Sequence, residues 1–323
     1  MILATAAAPL LALALAGSAA AASVTVSPSS ARPGDAVLVT VAGADAEPRG
    51  TLAGRPLVFF RAAEGWRALA PLPLELPVGP AAVEVDAGGP FTATLEIVDP
   101  AFRTSELRVS PKFVEPSRKA KKRMAADRKA FAEAQAQAFG PPLFAAPFDW
   151  PRRAGTTGRF GDQRTFNGKQ ESVHYGLDVE GPPGAPIVAA NDGTVVLARD
   201  CYMSGRSVVL WHGAGVYSFY FHLSRIDVKP GATVRRGEPV GLLGATGRVT
   251  GPHLHWSVKV DGLYVDPESI LRLDPFATPT PTATSTPTAT ATATPTSTAT
   301  ANPTAPPTPT VTSTEAAAVA PQD

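Results

Sequence analysis

The 323-residue chain predicts an all-β protein, two strand-rich units joined by one helix. Short runs of alternating apolar and polar residues, punctuated by Gly and Pro, read as half-buried strands in two long blocks. Between the blocks lies a single stretch rich in Ala, Lys, Arg, Glu and Gln, which reads as helix. All five histidines fall in the second block, so chemistry is expected there. A formal net charge of +1 carries no concentrated positive field of the kind nucleic acid requires, and nucleic acid is excluded as the favoured partner.

In chain order, residues 1–22 are Ala/Leu-rich and end in small residues, the pattern of an export signal cleaved near Ala22. The Leu-rich centre is too short for the roughly 20 apolar residues of a spanning helix, and no later segment is apolar enough to span. Because the first residues carry no Lys or Arg, an N-terminal anchor is the alternative. The expected location is periplasmic or extracellular, at the cell envelope.

Residues 23–110 contain "SVTVSPSSARPGDAVLVTVAG", "RPLVFFRAAEGWRALAPL" and "AAVEVDAGGPFTATLEIV". Short strands separated by "ARPGD" and Gly-Gly turns predict a small immunoglobulin-like antiparallel sandwich without a polar cluster for chemistry. Residues 111–147 form a linker whose run 117–139 predicts a helix, with Ser117 as N-cap and Gly140-Pro141 as the stop. Its first half is basic and reads as a solvated connector or as a surface for an anionic envelope. Residues 148–274 return to strands and predict an antiparallel β-sheet domain. From 275 to 323 the composition falls to Thr, Pro, Ala and Ser, which cannot bury enough apolar surface to order itself, so a disordered stalk is expected. The single cysteine, Cys201, excludes an internal disulfide and reads as a small structural residue.

The candidate site residues are His174 and Asp178 in "HYGLD", His212 in "WHGAG", His222 in "YFHLS", and His253 and His255 in "GPHLHWSV". Side chains two apart on a strand share a face, so His253 and His255 aim at one place. A catalytic zinc takes three protein ligands and keeps one position open. With Cys201 away from these motifs, two histidines and one carboxylate make the available set. Asp178 is the natural carboxylate. Gly176 and "GPPGAP" argue against a helix there, so a bent strand or loop must bring Asp178 to His174. His255 can supply the third ligand from a distant segment, leaving His253 as an imidazole suited to proton transfer, a character His222 shares. Spacing alone leaves open which of these four histidines are ligands.

"HYGLD", "YFHLS" and "GATGRVTGPHLHWSV", in this order over about residues 148–272, resemble the signature segments of the lysostaphin-type (LytM-type) zinc metallopeptidases, which cut peptidoglycan cross-bridges and stem peptides. The resemblance implies Zn2+ as cofactor, held by His174, Asp178 and His255, with His222 and His253 as the catalytic pair beside the water that is activated. It implies peptidoglycan as partner and direct amide hydrolysis without a protein nucleophile. His212 matches an ordinary turn position and reads as structural. Arg164, Asn167 and Tyr175, next to the first motif, are candidate substrate contacts, with loop stabilisation the alternative for Arg164 and Asn167. Two other readings compete: a non-catalytic cell-wall binding or regulatory module that activates another hydrolase, and a zinc carboxypeptidase or amidase. An intact ligand set with two further imidazoles disfavours the first. Groove shape, which the sequence does not carry, decides the second.

Overall fold

The computed structural model describes residues 22–277. The leader read over residues 1–22 and the tail from 275 onward therefore lie almost wholly outside the described residues. Among the described residues, strands dominate. The N-terminal part contains β1 (Ser23–Ser27), β2 (Ser30–Ala31), β3 (Ala36–Ala42), β4 (Arg49–Leu52), β5 (Arg55–Pro56), β6 (Phe60–Ala62), β7 (Gly65–Pro71), β8 (Gly79–Asp86), β9 (Pro90–Ile97) and β10 (Thr104–Leu107). Strands β1-β3-β7-β6 form one sheet and β2-β9-β8-β4-β5 a second. Alternate residues of both, such as Val37, Val39 and Val41 against Val83, Val85, Leu95 and Ile97, close a shared apolar core.

Strand β10 departs from the sequence-based boundary. It lies within the 23–110 unit by sequence, yet it belongs to neither N-terminal sheet. It runs parallel to β12, with Thr104 to Leu107 opposite Gln163 to Phe166. "TSEL" is too short and polar to announce such a partner.

Two helices follow, α1 (Pro111–Val114) and α2 (Arg118–Ala134). Ser117 caps α2 as its sequence predicts, its hydroxyl accepting from Ala120 N at 3.2 Å. The helix stops at Ala134, five residues short of the predicted end at 139. The chain turns away because Gln135 is claimed by the neighbouring sheet: its carbonyl accepts from the Tyr217 hydroxyl at 3.0 Å and its Oε1 from Lys259 Nζ at 2.8 Å. Ala120, Asp127, Phe131 and Ala134 form the buried stripe of α2.

The C-terminal part contains β11 (Thr156–Gly158), β12 (Gln163–Phe166), β13 (Gln170–Val173), β14 (Leu177–Glu180), β15 (Pro186–Val188), β16 (Gly193–Cys201), β17 (Gly205–Trp211), β18 (Val216–Leu223), β19 (Arg225–Ile226), β20 (Thr233–Val234), β21 (Pro239–Leu242), β22 (His253–Val260) and β23 (Leu263–Val265), then helix α3 (Pro267–Leu271). The main sheet, β11-β14-β22-β18-β17-β16-β20 with β23 beside β22, is antiparallel throughout. On one face Leu254, Trp256 and Val258 enter the large core. On the other, Phe219 and Phe221 of β18 pack with Phe131 of α2.

The two parts are tied where α3 meets β3. Ala36 N donates to Ser269 Oγ at 2.8 Å and Asp266 N to Gly34 O at 2.7 Å. Asp266 caps α3 through Glu268 N and accepts from Arg32 Nη2 at 3.1 Å. Burial, reinforced by the nearby Asp35 charge, raises the Asp266 carboxyl to about 6 against that capping bond. The native state thus holds this proton more tightly than the unfolded chain. The contribution is full below about pH 4 and is lost as pH rises through about 6, on the order of 2–3 kcal/mol. D266N keeps a capping side chain, so its urea midpoint is expected to match wild type near pH 4 and exceed it at pH 7. A difference unchanged across that range would rule the junction out as a titrating element.

Candidate active site

Asp178 sits on β14 directly opposite His255 on β22, in the middle of the antiparallel sheet. Phe221 of β18 is the next residue across, its ring stacked on His255 at 5.4 Å and 6°. Period-2 alternation puts His253, His255 and Ser257 on this face while Leu254 and Trp256 enter the core. His174 precedes β14, where Gly176 lets the chain pass close to β22. A Cβ at Gly176 would lie 2.6 Å from His255 Nε2 and 2.7 Å from Ser257 Oγ.

Three atoms converge: His174 Nε2 and His255 Nδ1 at 3.0 Å, with each 3.1 Å from Asp178 Oδ1. Both imidazoles are fully buried and Asp178 nearly so. The Nδ1 of His174 donates to Arg159 O at 2.7 Å, since a carbonyl can only accept, which leaves Nε2 as a lone pair. Ser257 Oγ, 2.7 Å from His255 Nε2, can accept that ring's hydrogen. Burial opposes ionisation of Asp178, yet His174, His255 and the Arg164 guanidinium hold its carboxyl well below the usual range. When both rings are neutral they offer at most one hydrogen among these three acceptor atoms in mutual contact. Such a donor set fits a cation. The spacing also suits zinc, whose tetrahedral ligands at about 2.0–2.1 Å stand about 3.3 Å apart. Among the described residues this is the one group of three His, Cys, Asp or Glu side chains placed to hold a metal.

His222 and His253 flank the trio, their rings 5.0 Å apart. His253 Nδ1 donates to Gly251 O at 2.9 Å and His222 Nδ1 to Thr246 O at 2.7 Å, which fixes both rings and leaves the Nε2 of His253 facing the trio. His253 Nε2 is 3.4 Å from Asp178 Oδ1. The backbone of His222 has φ +63°, a conformation that costs a non-glycine residue roughly 1–3 kcal/mol. It is held there by His222 N donating to Ser204 O.

Of these side chains Asp178, His222 and His253 line a cleft of about 310 Å³, and His174 and His255 do not. Strand β10 (Thr104, Ser105 and Leu107) and the Arg248–Thr250 turn also line it. Of the three candidate substrate contacts, only Arg164 lines the cleft, and it is engaged with Asp178 Oδ2 at 2.6 Å. Asn167 is turned away: its amide exchanges two 2.9 Å hydrogen bonds with the main chain of Val109, fastening the chain that follows β10. Tyr175 packs between Phe160 and Tyr264 and does not line the cleft. His212 is buried between Asp192 O and Ser218 Oγ, remote from the trio's contacts, and burial lowers its pKa to about 4. Sequence reasoning missed Ser257, although it continues the His253–His255 alternation. It also missed Gly158, where a Cβ would sit 2.3 Å from both Arg164 Nη2 and Asp178 Oδ2.

A family profile for peptidase family M23 matches residues 172–267, which hold every member of the trio and both flanking imidazoles. A crystal structure of an M23 peptidase homologue from Pseudomonas aeruginosa is 30% identical and covers 74% of this chain and 93% of its own, with a TM-score of 0.55. The chain belongs to peptidase family M23. The similarity to the Pseudomonas protein runs well beyond the profile segment. Among curated relatives, the peptidoglycan DD-endopeptidase ShyA of Vibrio cholerae is 46% identical over 29% of this chain and 22% of its own. The DD-carboxypeptidase/endopeptidase Mpg of Neisseria meningitidis is 38% identical over 35% of this chain and 24% of its own. The M23 chain thus spans under a quarter of the length of these two relatives.

For this M23 site, D178A and H255A are expected to lose stoichiometric zinc, whereas H253A keeps about one per chain by elemental analysis. G176A pushes a methyl group onto His255 and Ser257 and should weaken zinc roughly 10–100-fold in competition with a chelating dye. Unaltered affinity in G176A would show that His255 is not held by its contact with β14.

Proposed function

We propose that the protein is an exported, zinc-dependent endopeptidase that hydrolyses amide bonds in peptidoglycan peptides at the cell envelope. The observation that carries this reading is the buried set of three converging acceptors, with Asp178 and the two flanking imidazoles of His222 and His253 lining a cleft. The names of the Vibrio and Neisseria relatives supply the substrate class. No helix of the described residues is long and apolar enough to cross a membrane.

In this reading His174, Asp178 and His255 hold the metal. Zinc, when bound, supplies a Lewis acid for the scissile carbonyl and lowers the pKa of a coordinated water to about 7. His253 takes the proton of the attacking water at Nε2, because its Nδ1 hydrogen is already committed to Gly251 O. As an imidazolium it then donates that proton to the leaving amine. His222 approaches from β18 and, when protonated at Nε2, donates to the oxygen on which charge develops. Arg164 fixes the Asp178 carboxylate from the side away from the histidines. The two N-terminal sheets are read as an immunoglobulin-like unit over residues 23–110, followed by the linker 111–147 and the peptidase domain 148–274.

The test is metal content of the purified protein paired with release of new amino groups from peptidoglycan, with and without chelator. About one zinc per chain and chelator-sensitive release are expected, and the product mass names the bond. H253A is expected to retain zinc and lose about 10²–10⁴-fold in kcat. Full zinc occupancy without release from any wall type would replace this reading with that of a wall-binding regulator.

A further inference from the structure

Helix α2 places its charges against its own stability. Five of the six residues from Arg118 to Arg123 are Lys or Arg, in a chain whose formal net charge is only +1. The first turn contains no acidic residue and the last turn no basic one, the reverse of what the helix dipole favours. Arg118 and Lys122, and Lys119 and Arg123, stand four apart as like-charge pairs, which repel on a helix surface. Relief is scarce. Asp127 is buried and committed to Arg199 Nε and Tyr202 N, Arg123 pairs with Asp200, and Lys129 with Glu133. Arg118, Lys119, Lys121, Lys122 and Arg128 are exposed and enter no ion pair among the described residues.

We propose that α2 docks the protein on the surface of an anionic phospholipid bilayer. The inference goes beyond the peptidase reading and does not rest on it. At about 100° per residue, Arg118, Lys122 and Lys129 fall directly opposite the buried stripe, with Lys119 and Lys121 to either side. This row is convex and solvent-facing, so it encloses no small anion, and it meets a flat array of phosphates along about 16 Å of helix. Among the exposed residues of α2 there is no large apolar side chain, so the contact is electrostatic and does not insert. Phe131 on the buried stripe meets Phe221, which stacks on His255, so α2 covers the sheet face that carries the trio. Docking by α2 therefore sets the M23 sheet next to the lipid, with the helix between.

The experiment measures binding of the full chain by sedimentation with vesicles of phosphatidylcholine alone and of phosphatidylcholine mixed with an equal part of phosphatidylglycerol. Wild type is expected to bind the anionic vesicles more tightly than the neutral ones, and the excess to vanish at high salt. K119Q/K121Q/K122Q is expected to weaken anionic binding about 100-fold, about fivefold per cation, and K122Q alone about fivefold. R55Q/K229Q/R235Q, which removes the same charge outside the helix, is expected to bind as wild type does. Thermal melting and zinc content establish that the variants are folded, and K122Q decides if the triple lysine variant is not. No excess on anionic vesicles at low salt, an excess that survives high salt, or wild-type binding by the lysine variants overturns the proposal. So does an equal loss in the R55Q/K229Q/R235Q control, which would make net charge the cause. Capture by soluble polyphosphate without vesicle binding overturns it too, in favour of a polymer partner. Hydrolysis of peptidoglycan in solution is expected to be unchanged in K119Q/K121Q/K122Q, so failure of the docking and failure of the peptidase reading are read separately.

Discussion

Three acceptor atoms 3.0–3.1 Å apart on a buried sheet face, with at most one hydrogen between them when both rings are neutral, are the constraint around which this molecule is arranged. Lone pairs at that distance in a low-dielectric setting repel, so the surrounding structure must hold them together or a cation must join them. Holding begins with the sheet itself. Asp178 and His255 are cross-strand partners, and a one-residue slip of β14 against β22 would send one of them into the hydrophobic core. The large apolar side chains of β22 on the opposite face, Leu254 and Trp256, make that slip prohibitive.

Each proposed ligand is then fixed from behind. Arg159 O sets the His174 tautomer, Ser257 Oγ faces the outer nitrogen of His255, and Arg164 engages the second oxygen of Asp178. The linker helix takes part through packing. Phe131 of α2 meets Phe221 edge-on at 5.7 Å, and Phe221 stacks on His255. The helix that reads in sequence as a solvated connector is thereby two ring contacts from a proposed metal ligand. Its basic residues face outward because the other stripe, Ala120, Asp127, Phe131 and Ala134, is committed to the sheet.

How much of this is legible in sequence depends on how local its cause is. The shared face of His253 and His255 is legible because strand alternation is a two-residue rule, and Ser257 follows from the same rule. The Ser117 cap is legible because the hydroxyl and its partner are three residues apart. Sequence leaves Asn167 open between substrate and loop, because the main chain it serves, Val109, is 58 residues away. The end of α2 is misread for a similar reason. Helix propensity continues through "QAQAF", but Tyr217 and Lys259 take hold of Gln135 from across the fold. Arg248 gives no signal in "GATGRVTG", since its burial on Phe166 arises only when β12 folds over the turn.

The parallel pairing of β10 with β12 has the widest consequence for the cleft. The segment matched by the family profile, residues 172–267, contains Asp178, His222, His253 and the Arg248–Thr250 turn of the lining but neither β10 nor β12. The β10 part of the lining is built by chain leaving the N-terminal sheets, and it is locked by contacts of long sequence separation. Arg103 clasps Asp162, Asn167 clasps Val109, and Lys169 pairs with Glu115. Closing such loops costs entropy that the short strand "TSEL" alone does not recover. The buried Asp162 carboxylate helps, because it also accepts from Arg159 N, and the carbonyl of Arg159 accepts from His174 Nδ1. Asp162 thus joins β10, through Arg103, to the loop that carries Arg159, whose carbonyl orients the proposed ligand His174.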